Sequence, residues 1–180
     1  TVPPPPPTLE SLVAGTVLYA GMGTTTVMPD IDFETRSAAG FFWNADTEKW
    51  EGPPYSPQGR KGLGVIGAAN YALHPSTEVL SLAWNLKDGT GPQIWRPGDE
   101  MPWRLFAHVA CGGLLEAWKS DFEHWIWNHV CVPKYGFPPL PQRQLRCAMS
   151  KARAFALPGA LANAGDVLQL RVRKDADGDR

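Results

Sequence analysis

Cysteine is scarce in this chain of 180 residues, and long hydrophobic runs are absent. Its three cysteines, Cys111, Cys131 and Cys147, lie far apart and include no Cys-x-x-Cys pair. The sequence therefore contains neither a disulfide framework nor a cysteine-based zinc motif. The longest apolar stretch, 12–22, is about half of the ~20 residues needed to span a bilayer, and no basic segment precedes it. We expect a cytoplasmic protein without a membrane partner.

A marked excess of either charge is also missing. Lys and Arg number 17 and Asp and Glu number 18, so the formal net charge is −1. The distribution is less even, because residues 143–174 hold seven basic side chains and one acid, a local charge of +6. A basic segment beside an acidic remainder is typical of a surface that guides a phosphate backbone toward a metal site. The plainer interpretation is a solvated helix face.

Apolar residues and turn formers are both abundant. Hydrophobic residues make up 43% of the chain and include eight tryptophans, which suffices for a core and excludes a disordered or fibrous protein. The length predicts one domain with an appended segment. We expect residues 1–26 to be a poorly ordered proline-rich arm and leader, since Pro3 to Pro7 favour polyproline II. Residues 40–64 contain glycine and proline without periodicity, which predicts a long loop insertion.

The remaining chain predicts an α/β fold with a mixed sheet. Apolar and acidic residues alternate over 27–35, the pattern of a strand. Residues 77–86 and 92–96 predict a hairpin, and 114–118 a buried strand. Helices are predicted over 102–110, from Ser120 to Pro133, over 147–155, and after Pro158.

Asp32 and Glu34 are the first candidate site residues. Two positions apart on a strand, their carboxylates emerge on one side, roughly 6–7 Å apart along the chain. Mg²⁺ and Mn²⁺ prefer oxygen ligands and are often shared between protein carboxylates and substrate phosphates. A solvated polar strand face is the alternative interpretation.

Residues 30–37, Asp-Ile-Asp-Phe-Glu-Thr-Arg-Ser, resemble the first motif of the DEDD 3′–5′ exonucleases as it occurs in phage-type family A DNA polymerases. The resemblance covers about residues 28–180 and implies a ribonuclease H-like fold, in agreement with the predicted order of elements. Further blocks similar in order and spacing are His-Pro-Ser-Thr-Glu-Val-Leu (74–80), Trp-Arg-Pro-Gly (95–98), Leu-Glu-Ala-Trp (115–118), Phe-Glu (122–123), Cys-Ala-Met (147–149), Ala-Phe-Ala-Leu-Pro-Gly (154–159) and Lys-Asp (174–175).

The resemblance implies roles for three acids and a two-ion Mg²⁺ or Mn²⁺ site. It implies that Asp32 bridges both ions and that Glu34 binds the ion that activates water. The second-motif acid is then Glu123. Many relatives have Asp at that position with Asn shortly before it, whereas this chain has Lys119. Asp121 is the second choice for the acid, after Glu123.

Glu123 has a second interpretation that needs no metal. The stretch Ser120-Asp121-Phe122-Glu123 is a Ser-x-x-Glu capping box, which satisfies the first amides of a helix. Spacing alone favours the cap, and the resemblance favours the metal ligand. The direction of the carboxylate oxygens distinguishes the two.

The family's third motif, with the fourth acid, lies downstream of the point where this chain stops, so we expect a C-terminally truncated domain over 27–180 with an incomplete metal site. The function implied is that of a 3′–5′ proofreading exonuclease region, which hydrolyses the terminal phosphodiester of single-stranded DNA and precedes a downstream polymerase domain. The alternative is an inactive nucleic-acid-binding or interaction module with the same fold. Phosphate contacts are expected from Arg143, Arg146, Lys151, Arg153 and Lys174.

Overall fold

Alternating apolar and acidic residues form the central strand of the structure, a computed structural model that describes residues 28–52 and 63–171. The strands are β1 (Asp30–Arg36), β2 (Phe42–Asn44), β3 (Lys49–Glu51), β4 (Glu78–Asn85), β5 (Gln93–Trp95), β6 (Leu115–Ala117) and β7 (Leu145–Cys147). Five of them form one mixed sheet in the order β5-β4-β1-β6-β7, which helices flank. The predicted α/β class with a mixed sheet is confirmed.

Strand directions divide the sheet into two halves. β1 is antiparallel to β4, and β4 is antiparallel to β5, so the predicted hairpin and first strand are confirmed. On the other side β6 is parallel to β1, and β7 is parallel to β6. β7 was not predicted, because its three residues are too few to show a period of two.

Helices occur at the four predicted places, and two short helices that were not predicted precede β4. They are α1 (Leu63–Ile66), α2 (Ala68–Leu73), α3 (Trp103–Ala110), α4 (Ser120–Ile126), α5 (Val132–Tyr135), α6 (Ala148–Ala154) and α7 (Leu161–Val167). A π-helical turn, Trp127–Cys131, joins α4 to α5, and a 3-10 turn, Gln142–Gln144, precedes β7.

The prediction that Pro133 ends the long helix is wrong. Helical structure continues through Pro133 to Tyr135. Pro133 stands in the first turn of α5, immediately after the π-helical turn, where a missing N–H is tolerated. The helix instead ends at Gly136, which adopts a left-handed conformation with φ of 72°.

The hydrophobic core covers one face of the sheet. Ile31 and Phe33 of β1 lie opposite Trp84 and Leu82 of β4, and all four are buried. Trp127 is fully buried in the same core, and its ring makes edge-to-face contacts with those of Phe33, Phe106 and Phe137. Aromatic packing of this kind fixes the helices that follow β6 against the sheet.

The other face, called the open face below, carries acidic, polar and small residues. On it Asp32 lies opposite Ala83, and Glu34 lies opposite Ser81. Asp30 lies opposite Glu116 of β6, which in turn lies opposite Arg146 of β7. Directly paired residues share one face of a sheet, so these charged side chains belong to a single surface.

The insertion 40–64 contains a hairpin where the sequence predicted an irregular loop. β2 and β3 pair antiparallel, with Phe42 opposite Glu51. Asn44 closes the turn, because its side-chain oxygen accepts a hydrogen bond from the amide of Asp46 and its nitrogen donates to Glu51. A turn closed by these hydrogen bonds needs no hydrophobic periodicity in its strands. The β2–β3 hairpin could therefore not be predicted from the hydrophobic pattern.

Several predictions concern residues outside the described ranges. These are the arm and leader 1–26, part of the insertion at 53–62, and the Lys-Asp block 174–175 with the phosphate contact expected of Lys174. Within 28–52 and 63–171, no helix is long and apolar enough to cross a membrane.

Candidate functional site

Asp32 and Glu34 lie on the open face of the central strand. Both are exposed, whereas their neighbours Ile31 and Phe33 are buried in the core. The predicted placement of the two acids on one side of one strand is therefore confirmed. Their role as metal ligands stays a prediction.

The strand around this pair leaves room for a ligand. The β4 residues opposite the acids, Ala83 and Ser81, have short side chains. The regular pairing is interrupted just after Glu34 by a bulge, so that Thr35 lies opposite Val79. Beyond the bulge the hydroxyl groups of Thr35 and Tyr71 lie 3.0 Å apart and hydrogen-bond, which anchors the end of β1.

Glu123 joins this pair from a distant part of the chain. β6 pairs with β1 at Asp30 and ends at Ala117, and α4, which follows it, packs against β1. Glu123 is buried in α4 with 4% of its surface exposed. Its carboxyl accepts a hydrogen bond from the backbone amide of Phe33, the residue between the two exposed acids.

The surroundings of Glu123 disfavour a negative charge. Burial, followed by the charge of Asp32 and to a lesser extent that of Glu34, raises its pKa from 4.5 to about 9. The Phe33 amide lowers the pKa but does not offset the other effects. In addition, Oε2 of Glu123 is buried without a hydrogen-bond partner. A cation at this point would compensate all three carboxylates.

The capping-box interpretation of Glu123 is wrong. The residue before α4 is Lys119, and no side chain makes a capping hydrogen bond at this helix. Ser120 lies inside the helix and is buried, so it cannot form the reciprocal cap. Asp121 is exposed, and Glu123 is the acid whose carboxyl interacts with Asp32 and Glu34.

The donor chemistry of these acids fits a hard divalent cation. Carboxylate oxygens are the ligands that Mg²⁺ and Mn²⁺ prefer, and the unpartnered Oε2 of Glu123 is such an oxygen. Within the described residues, however, no three His, Cys, Asp or Glu side chains are arranged as a group that could hold an ion. The three acids therefore supply negatively charged oxygen ligands. In the part of the chain that the structure describes, these ligands do not form a complete metal-binding group.

The predicted phosphate-contacting residues lie at one edge of the sheet. Arg143 in the 3-10 turn, Arg146 on β7 and Arg153 on α6 are exposed. Arg146 donates to the carbonyl oxygens of Arg143 and Leu145, at 2.8 and 2.9 Å. Lys151 on α6 forms an ion pair with Glu116 at 2.8 Å. The contact of these four residues with DNA stays a prediction.

A cleft that the sequence did not predict opens at the end of β1. Its volume is about 470 Å³, and it begins two residues after Glu34. Arg36 and Glu78 form an ion pair at 2.6 Å on its wall, and the ring of Phe41 is 49% exposed. The lining residues are Arg36, Ser37, Ala38, Phe41, Ser76 and Glu78. They come from two separate segments of the chain. The only local sign of the cleft in the sequence was therefore the aromatic residue Phe41, four residues after the acidic motif 30–37.

No family model matches this chain, and no curated protein or solved structure is significantly similar to it. The interpretation of the site therefore depends on its residues and their geometry.

Proposed function

We propose that this chain is the 3′–5′ exonuclease region of a phage-type DNA polymerase and hydrolyses the terminal phosphodiester of single-stranded DNA with the aid of divalent ions. The observation that carries the proposal is the convergence of Glu123 on Asp32 and Glu34, since these are the acids that the motif resemblance selects. The order and directions of the five strands are compatible with a ribonuclease H-like fold, which supports the same proposal.

The three acids occupy different positions in the site, and we assign their roles accordingly. Asp32 and Glu34 present their carboxylates to the open face, where a substrate phosphate can approach. Glu123 offers the buried oxygen Oε2 from the side of α4. These oxygens would hold Mg²⁺ or Mn²⁺, which would act as a Lewis acid on the phosphodiester and lower the pKa of a bound water. A cation held there would also favour the carboxylate form of Glu123.

The cleft beyond Glu34 suits the terminal nucleoside. Its volume falls within the ~300–1,000 Å³ usual for small-molecule sites. The exposed ring of Phe41 offers a face on which an unpaired base can stack, and stacking tolerates any sequence. A 3′ end placed there brings its last phosphate toward Glu34.

The rest of the strand is bound through its phosphates. Arg143, Arg146 and Arg153 are exposed at the β7–α6 edge, two strands away from β1 in the sheet. Arginine contacts to phosphate provide affinity independent of sequence, as an exonuclease requires.

The first test measures ion binding and cleavage in the same variants. We expect Mn²⁺ to raise the melting temperature of the wild type slightly and to support slow cleavage of a 3′-labelled single strand, because the three acids do not form a closed group of ligands within the described residues. Asp32→Asn should abolish the Mn²⁺ shift and reduce cleavage by at least ~10²-fold, since small misplacements of reacting groups cost that much. Asp121→Asn is the matched control, because Asp121 is an exposed acid beside Glu123, and it should behave like the wild type.

A second candidate function is an inactive nucleic-acid-binding module. It is favoured by the finding that the described residues contain no closed group of metal ligands. Single-strand binding without any Mn²⁺ shift or cleavage would support this module and contradict the exonuclease proposal.

A further inference from the structure

Glu116 lies between the acidic site and the basic edge of the sheet. On the open face it is flanked by Asp30 of β1 and Arg146 of β7, which lie directly opposite it. Its Oε1 is 2.8 Å from Nζ of Lys151. The side chain of Glu116 is 20% exposed, whereas that of Lys151 is 59% exposed. A carboxylate held by the sheet thus pairs with a lysine that extends into solvent.

This pairing changes what Lys151 can offer a phosphate. A lysine already matched by a carboxylate neutralises a phosphate less fully, so fewer of the cations condensed on the DNA are released when the strand binds. A phosphate arriving at Arg146 and Lys151 also meets the negative charge of Glu116. The lysine must exchange one anion for another, and the gain in affinity is correspondingly small.

We propose that Glu116 is a counter-charge that lowers the affinity of the β7–α6 edge for single-stranded DNA by competing with backbone phosphate for Lys151. The inference rests on the proposed function in one respect, that this edge binds the substrate strand. Its consequence is a weakly held strand that can be released and shifted after each hydrolysis. Glu116 tunes affinity and has no part in the chemical step.

If the pair with Lys151 served only to stabilise the fold, Glu116→Gln would lower the melting temperature and leave DNA affinity unchanged. We expect the melting temperature to stay nearly unchanged instead, because exposed ion pairs contribute little to stability. DNA affinity and its salt dependence, in contrast, report directly on whether Lys151 becomes available to phosphate.

The experiment compares Glu116→Gln with the wild type by fluorescence anisotropy, using labelled oligo(dT) in EDTA over a series of NaCl concentrations. We expect the variant to bind about two- to fivefold more tightly at low salt, the range that an exposed ion pair allows. The slope of log K against log salt should steepen by up to about 0.7, as for one additional phosphate contact. Glu100→Gln is the control, because Glu100 is an exposed acid just beyond β5, at the opposite edge of the sheet.

A double-mutant cycle identifies the partner. In a Lys151→Ala background, Glu116→Gln should change affinity and slope much less than in the wild type. Equal effects in both backgrounds, or unchanged affinity and slope in Glu116→Gln, would overturn the inference.

The outcomes separate this inference from the exonuclease proposal. If the wild type binds oligo(dT) and responds to Mn²⁺ while Glu116→Gln changes nothing, only the counter-charge is wrong. If Glu116→Gln binds more tightly but no Mn²⁺ shift or cleavage occurs, the counter-charge stands and the exonuclease proposal falls. If neither the wild type nor Glu116→Gln binds oligo(dT) at low salt, the counter-charge inference and the exonuclease proposal are both overturned.

Discussion

Glu123 is a carboxylic acid buried where α4 packs against β1. Burial and the neighbouring charges of Asp32 and Glu34 raise its pKa to about 9. Without a cation it is therefore protonated at neutral pH, and the site carries less negative charge than its composition indicates. The same residue links the stability of the fold to the ionic state of the site.

The raised pKa predicts a stability that falls with rising pH in the metal-free protein. The folded-state pKa of Glu123 lies above its unfolded value of 4.5. Its contribution is therefore fully present below about pH 4.5 and is lost as the pH rises toward 9, at up to about 1.4 kcal/mol per pH unit. Urea unfolding in EDTA at several pH values measures this slope.

Glu123→Gln should remove most of that pH dependence, because glutamine does not titrate, whereas Asp121→Asn should retain it. The variant is expected to be more stable than the wild type at the alkaline end of the range. Parallel pH profiles for wild type and Glu123→Gln would contradict the assignment of the slope to this residue.

At the scale of elements, the helical segment from Ser120 to Tyr135 positions the site. Its π-helical turn buries Trp127, Val130 and Cys131 together, and the indole of Trp127 donates a 2.7 Å hydrogen bond to the carbonyl oxygen of Pro138. With this segment held by the core, α4 presents Glu123 to β1. The end of the segment depends on Gly136, where a left-handed backbone is needed.

Two glycine substitutions should have opposite effects on stability. Gly136 has a φ of 72° and open space around an added Cβ, so Gly136→Ala suffers from backbone strain alone. We expect it to lower the free energy of unfolding by about 1–2 kcal/mol. Gly165 lies within α7, where an added Cβ would contact only Cδ1 of Leu170 at 3.9 Å. Gly165→Ala should be neutral or stabilise by up to about 1 kcal/mol.

Chemical denaturation of the two variants and the wild type checks this pair. Destabilisation by both substitutions would indicate that space, and not the backbone angle, limits these positions. Equal stability of Gly136→Ala and wild type would contradict the role of Gly136 in ending the helix.

At the scale of the whole molecule, the site belongs to the five-stranded sheet, and the hairpin of β2 and β3 is an excursion from it. Its two ends are close together, because Phe42 pairs with Glu51 and a Cβ on Gly52 would lie 3.3 Å from the ring of Phe41. A short connection can therefore replace the hairpin without moving β1.

Replacing residues 42–51 by a short glycine-rich link should leave the main fold intact. We expect cooperative unfolding, a melting temperature within a few degrees of the wild type and an unchanged Mn²⁺ response, because Asp32, Glu34 and Glu123 do not depend on the hairpin. Circular dichroism and thermal melts measure these properties. Loss of the cooperative transition would show that the hairpin supports the core.

Features that depend on local periodicity could be predicted from the sequence alone. Alternation fixed both the strand and the shared side of Asp32 and Glu34, because successive side chains in a strand point to opposite faces. The β4–β5 hairpin and the main helices followed from the same kind of pattern. These properties require only neighbouring residues, so no knowledge of the fold was needed.

Contacts between distant residues, in contrast, depend on tertiary packing and could not be predicted from local patterns. The local pattern around Glu123 indicated a helix cap, yet the packing of α4 beside β1 turned its carboxyl toward the amide of Phe33. Likewise, the pairing of Glu116 with Lys151 depends on how α6 packs on β6. Desolvation and cross-strand register set these contacts, and both are properties of the assembled core that a local sequence pattern does not contain.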